Sequence, residues 1–326
     1  MLNKILLLLM LVTSINLYSS ELGGFAGGFL RYGLDARSEA MGRSGVADGS
    51  NGFSFFYNPA NIAFVTESEV LTNYRFLSMD RNFIYLGYLT PLNKNIGLKK
   101  EAVLAIGVLY AGVDDIDGRD NDGNHFGTFS FNENMFHISF SMKPKEFLSF
   151  GVTSKILYSR FPELDGNDET VSSLGIGIDV GLVYNAPFHK NLFVAIAVKD
   201  LKAKYSWNSN KVWSKGTDKN DYFPTQYEFG ASWITPFNEN FRVNASSTIT
   251  SEKTSLYHFG AEFSEKFEND RSMAFRLGTN SGQLSAGMGM TFKIYEGYDL
   301  AVDYSYTMEE ISPEFDPHTL SMRVVF

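Results

Sequence analysis

The stretches TLSMRVVF (Thr319–Phe326) and LSAGMGMTFK (Leu284–Lys293) decide the fold. In the first, Leu320, Met322, Val324 and Phe326 share one face, and Thr319, Ser321 and Arg323 share the other. In the second, Leu284, Ala286, Met288, Met290 and Phe292 oppose Ser285, Gly287, Gly289, Thr291 and Lys293. Period two means extended strands, because successive side chains leave opposite faces of a pleated chain. The pattern recurs upstream. Tyr298, Leu300, Val302, Tyr304 and Tyr306 oppose Asp299, Ala301, Asp303 and Ser305; Tyr257, Phe259, Ala261 and Phe263 oppose His258, Gly260 and Glu262; Phe136, Ile138, Phe140 and Met142 oppose His137, Ser139 and Ser141.

A soluble sandwich also alternates. Three features favour strands with one face in lipid. The segments run about ten residues, the length a tilted transmembrane strand needs. Aromatics such as Tyr298, Tyr304 and Tyr306 gather at strand ends, as interfacial girdles do. The N-terminus reads as an export signal: Lys4, then an apolar run from Ile5 to Val12, then the small residues Ser19 and Ser20. That run is too short to span a bilayer as a helix, and no later segment is long and apolar enough. A membrane chain of this kind crosses as a closed barrel. The bulk numbers agree: 326 residues, 44% hydrophobic, mean hydropathy -0.13, with 29 Phe, 17 Tyr and 29 Gly.

About fourteen strands are expected between Glu69 and the C-terminus, an even number suited to an antiparallel barrel. The chain then divides into a signal peptide (1–20), an N-terminal segment (21–68) and a transmembrane barrel (69–326). Three similar turns, starting at Pro91, Pro187 and Pro236, fall on one side. Four long loops, Gly112–Gly127, Ser159–Ser172, Lys202–Pro224 and Met308–Pro317, fall on the other. Short periplasmic turns and long outer loops place both barrel ends in the periplasm of a diderm cell. The last strand, with its terminal Phe326, has the form of the signal that barrel-assembly machinery reads.

Residues 21–68 are Gly-punctuated and aromatic. They suit a plug folded inside the lumen, or else a loose periplasmic leader. Arg31, Arg37 and Arg43 lie here, and Lys293, Asp299, Asp303, Glu262 and Arg323 lie on the inward faces of wall strands. Charges in a confined lumen need partners or water. The plug arginines are expected to pair with wall carboxylates, notably Asp299 or Asp303; the alternative is a water-filled lumen.

Other chemistry is thin. There is no Cys, which removes thiolate metal sites, disulfides and Cys nucleophiles. The net charge of -9 argues against nucleic acid. Five scattered His lack metal-ligand spacing and no Ser/His/Asp cluster is visible, so no enzyme, cofactor or metal is expected. His137 and His258 read as polar lumen filling. The acidic stretch Asp114–Asn124 fails the calcium-loop pattern and reads as a solvated outer loop. Tyr205, Trp207, Trp213 and Tyr222 suit an interfacial belt or a binding surface.

The run FLRYGLDARSEAMGRSGVADGSNGFSFFYNPANIAF (Phe29–Phe64) resembles the opening motif of the PorV/PorQ family, a pattern shared more broadly with FadL/TodX hydrocarbon transporters. The matching positions are Arg31, Gly33, Ala36, Arg37, Met41, Gly42, Gly45, Ala47, Asn58, Pro59 and Ala60; Asn61 stands where the family usually has Gly. Later stretches match in order: Gly127–Ser141, Ser149–Ser159, Gly175–Asn185, Ala197–Leu201 and Tyr222–Trp233. The resemblance implies a fourteen-stranded outer-membrane barrel with its N-terminal segment near the lumen. Its first functional implication is a barrel accessory to protein export and surface attachment, with secretion components and cargo as partners. A channel for hydrophobic molecules such as long-chain fatty acids is the second, although polar or small wall residues weaken a greasy tunnel. A structural or general-diffusion barrel is the third.

Overall fold

A computed structural model describes residues 24–92, 101–161, 170–187, 189, 191–210, 216–235, 240–267, 271–308 and 316–326. The signal-peptide reading of residues 1–20, and Trp213, lie outside the described residues.

Fourteen antiparallel strands form one closed barrel. In chain order they are β1 (Glu69–Phe76), β2 (Arg81–Pro91), β3 (Glu101–Arg119), β4 (His125–Lys145), β5 (Leu148–Phe161), β6 (Val171–Asn185), β7 (Leu192–Leu201), β10 (Gln226–Ile234), β11 (Phe241–Thr250), β12 (Ser255–Phe267), β13 (Arg271–Asn280), β14 (Gln283–Tyr295), β15 (Tyr298–Thr307) and β16 (His318–Val325). Between β7 and β10, strands β8 (Lys204–Asn208) and β9 (Asp218–Tyr222) make a separate two-stranded sheet. Closure comes from β1 pairing with β16, from Glu69↔Val325 to Phe76↔His318. Ser68 and Phe326 exchange two backbone hydrogen bonds of 2.9 Å just beyond that ladder. An unpaired edge in lipid would strand N–H and C=O groups, so closure is obligatory there.

The alternation read from sequence sets the two surfaces. Met288, Met290, Leu284, Phe136, Ile138 and Phe259 point outward and are exposed, whereas His137, Ser139, Ser141, His258, Asp303 and Ser305 point inward and are buried. Phe326 stacks near Tyr298 at 5.7 Å and near Tyr88 at 6.4 Å, which places an aromatic cluster at the closing seam.

Two expectations change. The stretch Gly112–Gly127 is not a loop: β3 and β4 run through it as a paired hairpin. The lumen wall is not uniformly polar or small. Leu71, Phe83, Tyr85, Leu89, Leu109, Met135 and Leu157 are buried on the inner faces of β1 to β5. In β2 (RNFIYLGYLTP) both faces are apolar: Phe83, Tyr85 and Leu89 are buried inward, and Ile84, Leu86 and Tyr88 are exposed on the outer, lipid-facing side.

Depth and face together set the cost of a charge. Met288→Arg, on the exposed face in the middle of β14, should destabilise the barrel by about 2–4 kcal/mol. Thr291→Arg, on the inner face, should cost far less. Urea unfolding in lipid vesicles measures both, and equal costs would mean the two faces are misassigned.

Candidate functional site

The N-terminal segment packs against inward-facing parts of β1, β3 to β7, β10, β11 and β13 to β16. It contains one short helix, α1 (Ala36–Ala40), and several 3-10 turns. Asp35 starts α1 by accepting the Ser38 N–H at 3.1 Å. Gly42, at φ 62°, ends it in the left-handed region. Helix α1 lies against β13 to β16, the turn Gly45–Ala47 against β7, β10 and β11, and the turn Pro59–Phe64 against β3 to β6.

Close approach requires missing side chains. A Cβ on Gly42 would strike the backbone of Thr279 and the Phe259 carbonyl. A Cβ on Gly181 of β6 would strike the Asn58 amide. Asn58 itself caps the following turn, accepting the Ala60 N–H at 3.0 Å, and donates to the Val46 carbonyl at 3.0 Å. Pro59 occupies the first turn position, where no N–H is needed. The Ala60 carbonyl then accepts from Ser141 (3.2 Å) and Ser149 (3.0 Å) on the wall. Asn61, where the family pattern has Gly, donates to the Gly45 carbonyl at 2.9 Å and ties two turns together.

Charge pairing fixes the segment on the polar half of the lumen. Arg37 makes two bonds to Glu262 of β12, at 2.9 and 3.0 Å, and pairs with Asp48 at 2.9 Å. Asp48 also pairs with Arg242 of β11 and accepts from Asn244 at 2.9 Å. Glu262 is shared with Arg276 of β13 at 2.6 Å, and Arg276 reaches Asp303 at 2.7 Å. Arg37 therefore pairs with a wall carboxylate, but that carboxylate is Glu262 and not Asp299 or Asp303. Asp303 has a wall partner in Arg276, and Asp299 sits opposite Lys293 and Val325, towards the end of β15 where the chain terminates. The choice follows from position: α1 carries Arg37 within hydrogen-bond distance of Glu262.

A second group centres on Glu39. It pairs with Arg43 and with fully buried Arg75 of β1, each at 2.8 Å, and accepts the Gly33 N–H at 2.5 Å. A Cβ at Gly33 would collide with this carboxylate. Burial alone would push the Glu39 carboxyl up, but Arg43 and Arg75 reverse this and hold it at about 2. Its stabilising contribution is thus complete above its ordinary value of 4.5 and is lost only as pH falls towards 2. Arg31 donates to the carbonyls of Ala26 (3.1 Å) and Phe25 (3.3 Å) near the outer mouth. Arg323 pairs with Glu69 at 3.3 Å, and Glu69 in turn accepts the Gly52 N–H at 2.8 Å. Met41 is buried behind α1.

The apolar half holds the aromatic part of the segment. Phe53, Phe55, Phe56 and Ile62 join the inner residues of β1 to β5 in one cluster. His137 stacks on Phe55 at 3.9 Å and shares a 2.9 Å hydrogen bond with the Tyr85 hydroxyl. His258 bonds Thr248 at 3.0 Å and the Gly42 carbonyl at 3.2 Å, so both His fill the lumen. Tyr205 does not join an interfacial belt: it is buried, bonds Glu133 at 3.1 Å and packs on Phe223 at 4.9 Å. A third buried charge group, Lys155 with Asp179 and Asp200, completes the wall. Sequence reading missed Arg75, Arg242, Arg276 and this group. All but Asp200 lie at inward-facing positions of their strands, so strand parity was the signal that could have found them; Asp200 has outward parity and is turned inward by a left-handed backbone at φ 59°. Among the described residues no cluster of His, Asp and Glu is arranged to hold a metal ion.

Comparison with known proteins fits this architecture. The family model described as type IX secretion system protein PorV matches residues 24–253. No curated protein sequence matches the chain. Among solved structures, the toluene transporter TodX of Pseudomonas putida aligns with TM-score 0.57 at 12% identity, covering 90% of this chain and 96% of that one. A Pseudomonas aeruginosa FadL homologue aligns with TM-score 0.57 at 10% identity, covering 92% and 99%. The monoaromatic hydrocarbon channel CymD gives 0.58 at 13%, covering 92% and 98%. At such identities the likeness is one of fold.

Two measurements test the site. In a double-mutant cycle, Arg37→Ala and Glu262→Ala should couple by about 1–3 kcal/mol, whereas Arg37→Ala and Asp299→Ala should add within about 0.5 kcal/mol. Gly181→Val should leave the barrel folded but expose residues 24–68 to added protease, because overpacking displaces Asn58 at a cost of about 1–3 kcal/mol. A protected segment in that variant would refute the steric argument.

Proposed function

Because this chain belongs to the PorV family of type IX secretion system proteins, we propose that it is an outer-membrane accessory barrel for protein export and surface attachment. The observation that supports the reading is the set of ion pairs and packing contacts between the N-terminal segment and the inner wall. The N-terminal segment acts as a plug, and ion pairs from Arg37 and Asp48 to Glu262 and Arg242 anchor it. Releasing it exposes several buried charges, each expensive to leave unpaired. A barrel so filled favours work at its outer rim over passage through its centre. The role is non-enzymatic on this reading.

Residues 1–20 direct export on this reading, and barrel-assembly machinery inserts the chain through its last strand. The partners are then outer-membrane lipid, other secretion components and exported cargo. A second reading, a channel for hydrophobic small molecules, draws support from the apolar inner face of β1 to β5 and the likeness to hydrocarbon transporters. A purely structural barrel is the third, and fold alone does not separate the three.

A deletion strain separates them. Export predicts loss of a set of surface proteins with their accumulation in the periplasm, and unchanged uptake of long-chain fatty acids. An intact surface proteome with impaired uptake would sink the export reading in favour of the channel.

A further inference from the structure

Among the described residues, the outer ends of β3 and β4 run past their pairing with β2 and β5. β2 pairs with β3 only as far as Arg81↔Val113, and β5 with β4 only as far as Asn132↔Arg160. Beyond these points β3 and β4 pair with each other through Ile116↔Phe129, Asp117↔Thr128 and Gly118↔Gly127. One bond, from Asp114 N–H to the Asp80 carbonyl at 3.0 Å, is the last backbone tie between β3 and the β1–β2 side among the described residues.

Polarity inverts along this hairpin. Within the wall, β4 turns His137, Ser139 and Ser141 inward and Phe136, Ile138 and Phe140 outward. Beyond it, the inward parity carries Phe131 and Phe129, opposite Val113 and Ile116, while Thr128 and Asp117 face outward. The bulge at Asp114–Asp115, with Asp115 at φ 52°, brings Ile116 opposite Phe129. The result is a ribbon built for water, with its apolar face turned over the mouth. That face continues through Phe161, 5.2 Å from Phe131, to Trp207, 5.4 Å further on. Its parity is that of the lumen, so lipid does not cover it.

The tip is firmly built. Asp120 accepts the N–H groups of Asp122 (2.9 Å) and Asn124 (2.8 Å), and Asp117 binds Arg119 (2.8 Å) and His125 (2.6 Å). The stretch 114–124 carries five Asp against the single Arg119. Charges on a strand edge discourage pairing between copies of the same chain. Here they are nearly all of one sign, so they repel a second copy but attract a basic partner.

We infer that the edge of β3 from Asp115 to Arg119, which pairs with no strand on its β2 side among the described residues, takes an extended strand of a partner protein, one that alternates apolar and basic residues. The inference deepens the export reading and rests on it for a protein partner outside the cell. Main-chain hydrogen bonds hold the added strand. Its apolar side chains extend the Ile116 and Phe129 face, and its basic side chains lie beside Asp115 and Asp117.

The test uses the full chain in detergent micelles and a fluorescent eight-residue peptide of alternating Val and Lys, read by anisotropy. The peptide should bind at least tenfold more tightly than its Val–Glu counterpart, and rising salt should narrow the gap. Complete backbone N-methylation should cost at least tenfold. Asp115→Asn with Asp117→Asn should remove most of the preference for Lys, and Ile116→Asp should weaken binding throughout. Equal binding of the Lys and Glu peptides, unaltered binding after N-methylation, or indifference to Ile116→Asp would each overturn the inference. Peptide failure beside a deletion strain that does lose its surface proteins overturns this inference alone. Peptide binding with an intact surface proteome overturns the export reading instead.

Discussion

A backbone in hydrocarbon has no water to bond, and this constraint governs the rest of the structure. It forces β1 onto β16 and so closes fourteen strands around an interior. Closure then creates a second problem. Side chains alternate, so an apolar outer face commits the opposite residues to a confined space. Polar ones there need partners, and apolar ones need something to pack against.

The N-terminal segment answers both needs at once. Its charged part, from Asp35 to Asp48, meets Glu262, Arg242 and Arg75 of the wall. Its aromatic part, from Phe53 to Ile62, meets Phe83, Tyr85, Met135 and Leu157 on the apolar half. One stretch of chain thereby satisfies two unlike surfaces, and its own order of residues matches theirs. Buried ion pairs of this kind are weak contributors to net stability but costly to break singly. They favour a fixed position over a mobile one.

Outside the membrane the same alternation runs with its sign reversed. The β3–β4 hairpin leaves the wall at Val113 and Asn132, and from there water lies on its outer side. Asp117 and Thr128 take the outward positions that Ile138 and Phe140 hold lower down. The switch marks where lipid ends on this side of the barrel.

The sequence by itself determined the barrel, because period-two alternation is local and each strand declares its own faces. A barrel of fourteen strands beginning at Glu69 was legible, as was the lumen-filling role of His137 and His258. The motif residues Gly42, Asn58 and Pro59 were legible as a pattern, though not as close contacts with the wall. Only the tertiary structure decided partners. Arg37 lies 225 residues from Glu262 in sequence, and nothing local distinguishes Glu262 from Asp299 or Asp303 as its mate. That choice depends on where α1 rests, which depends on the small residues at Gly278 and Gly287 that admit it. Likewise Asp114–Asn124 reads as a hydrated loop by composition, and becomes a hairpin because β3 and β4 remain paired past the rim. Periodicity is a property of one strand, whereas pairing is a property of two distant ones.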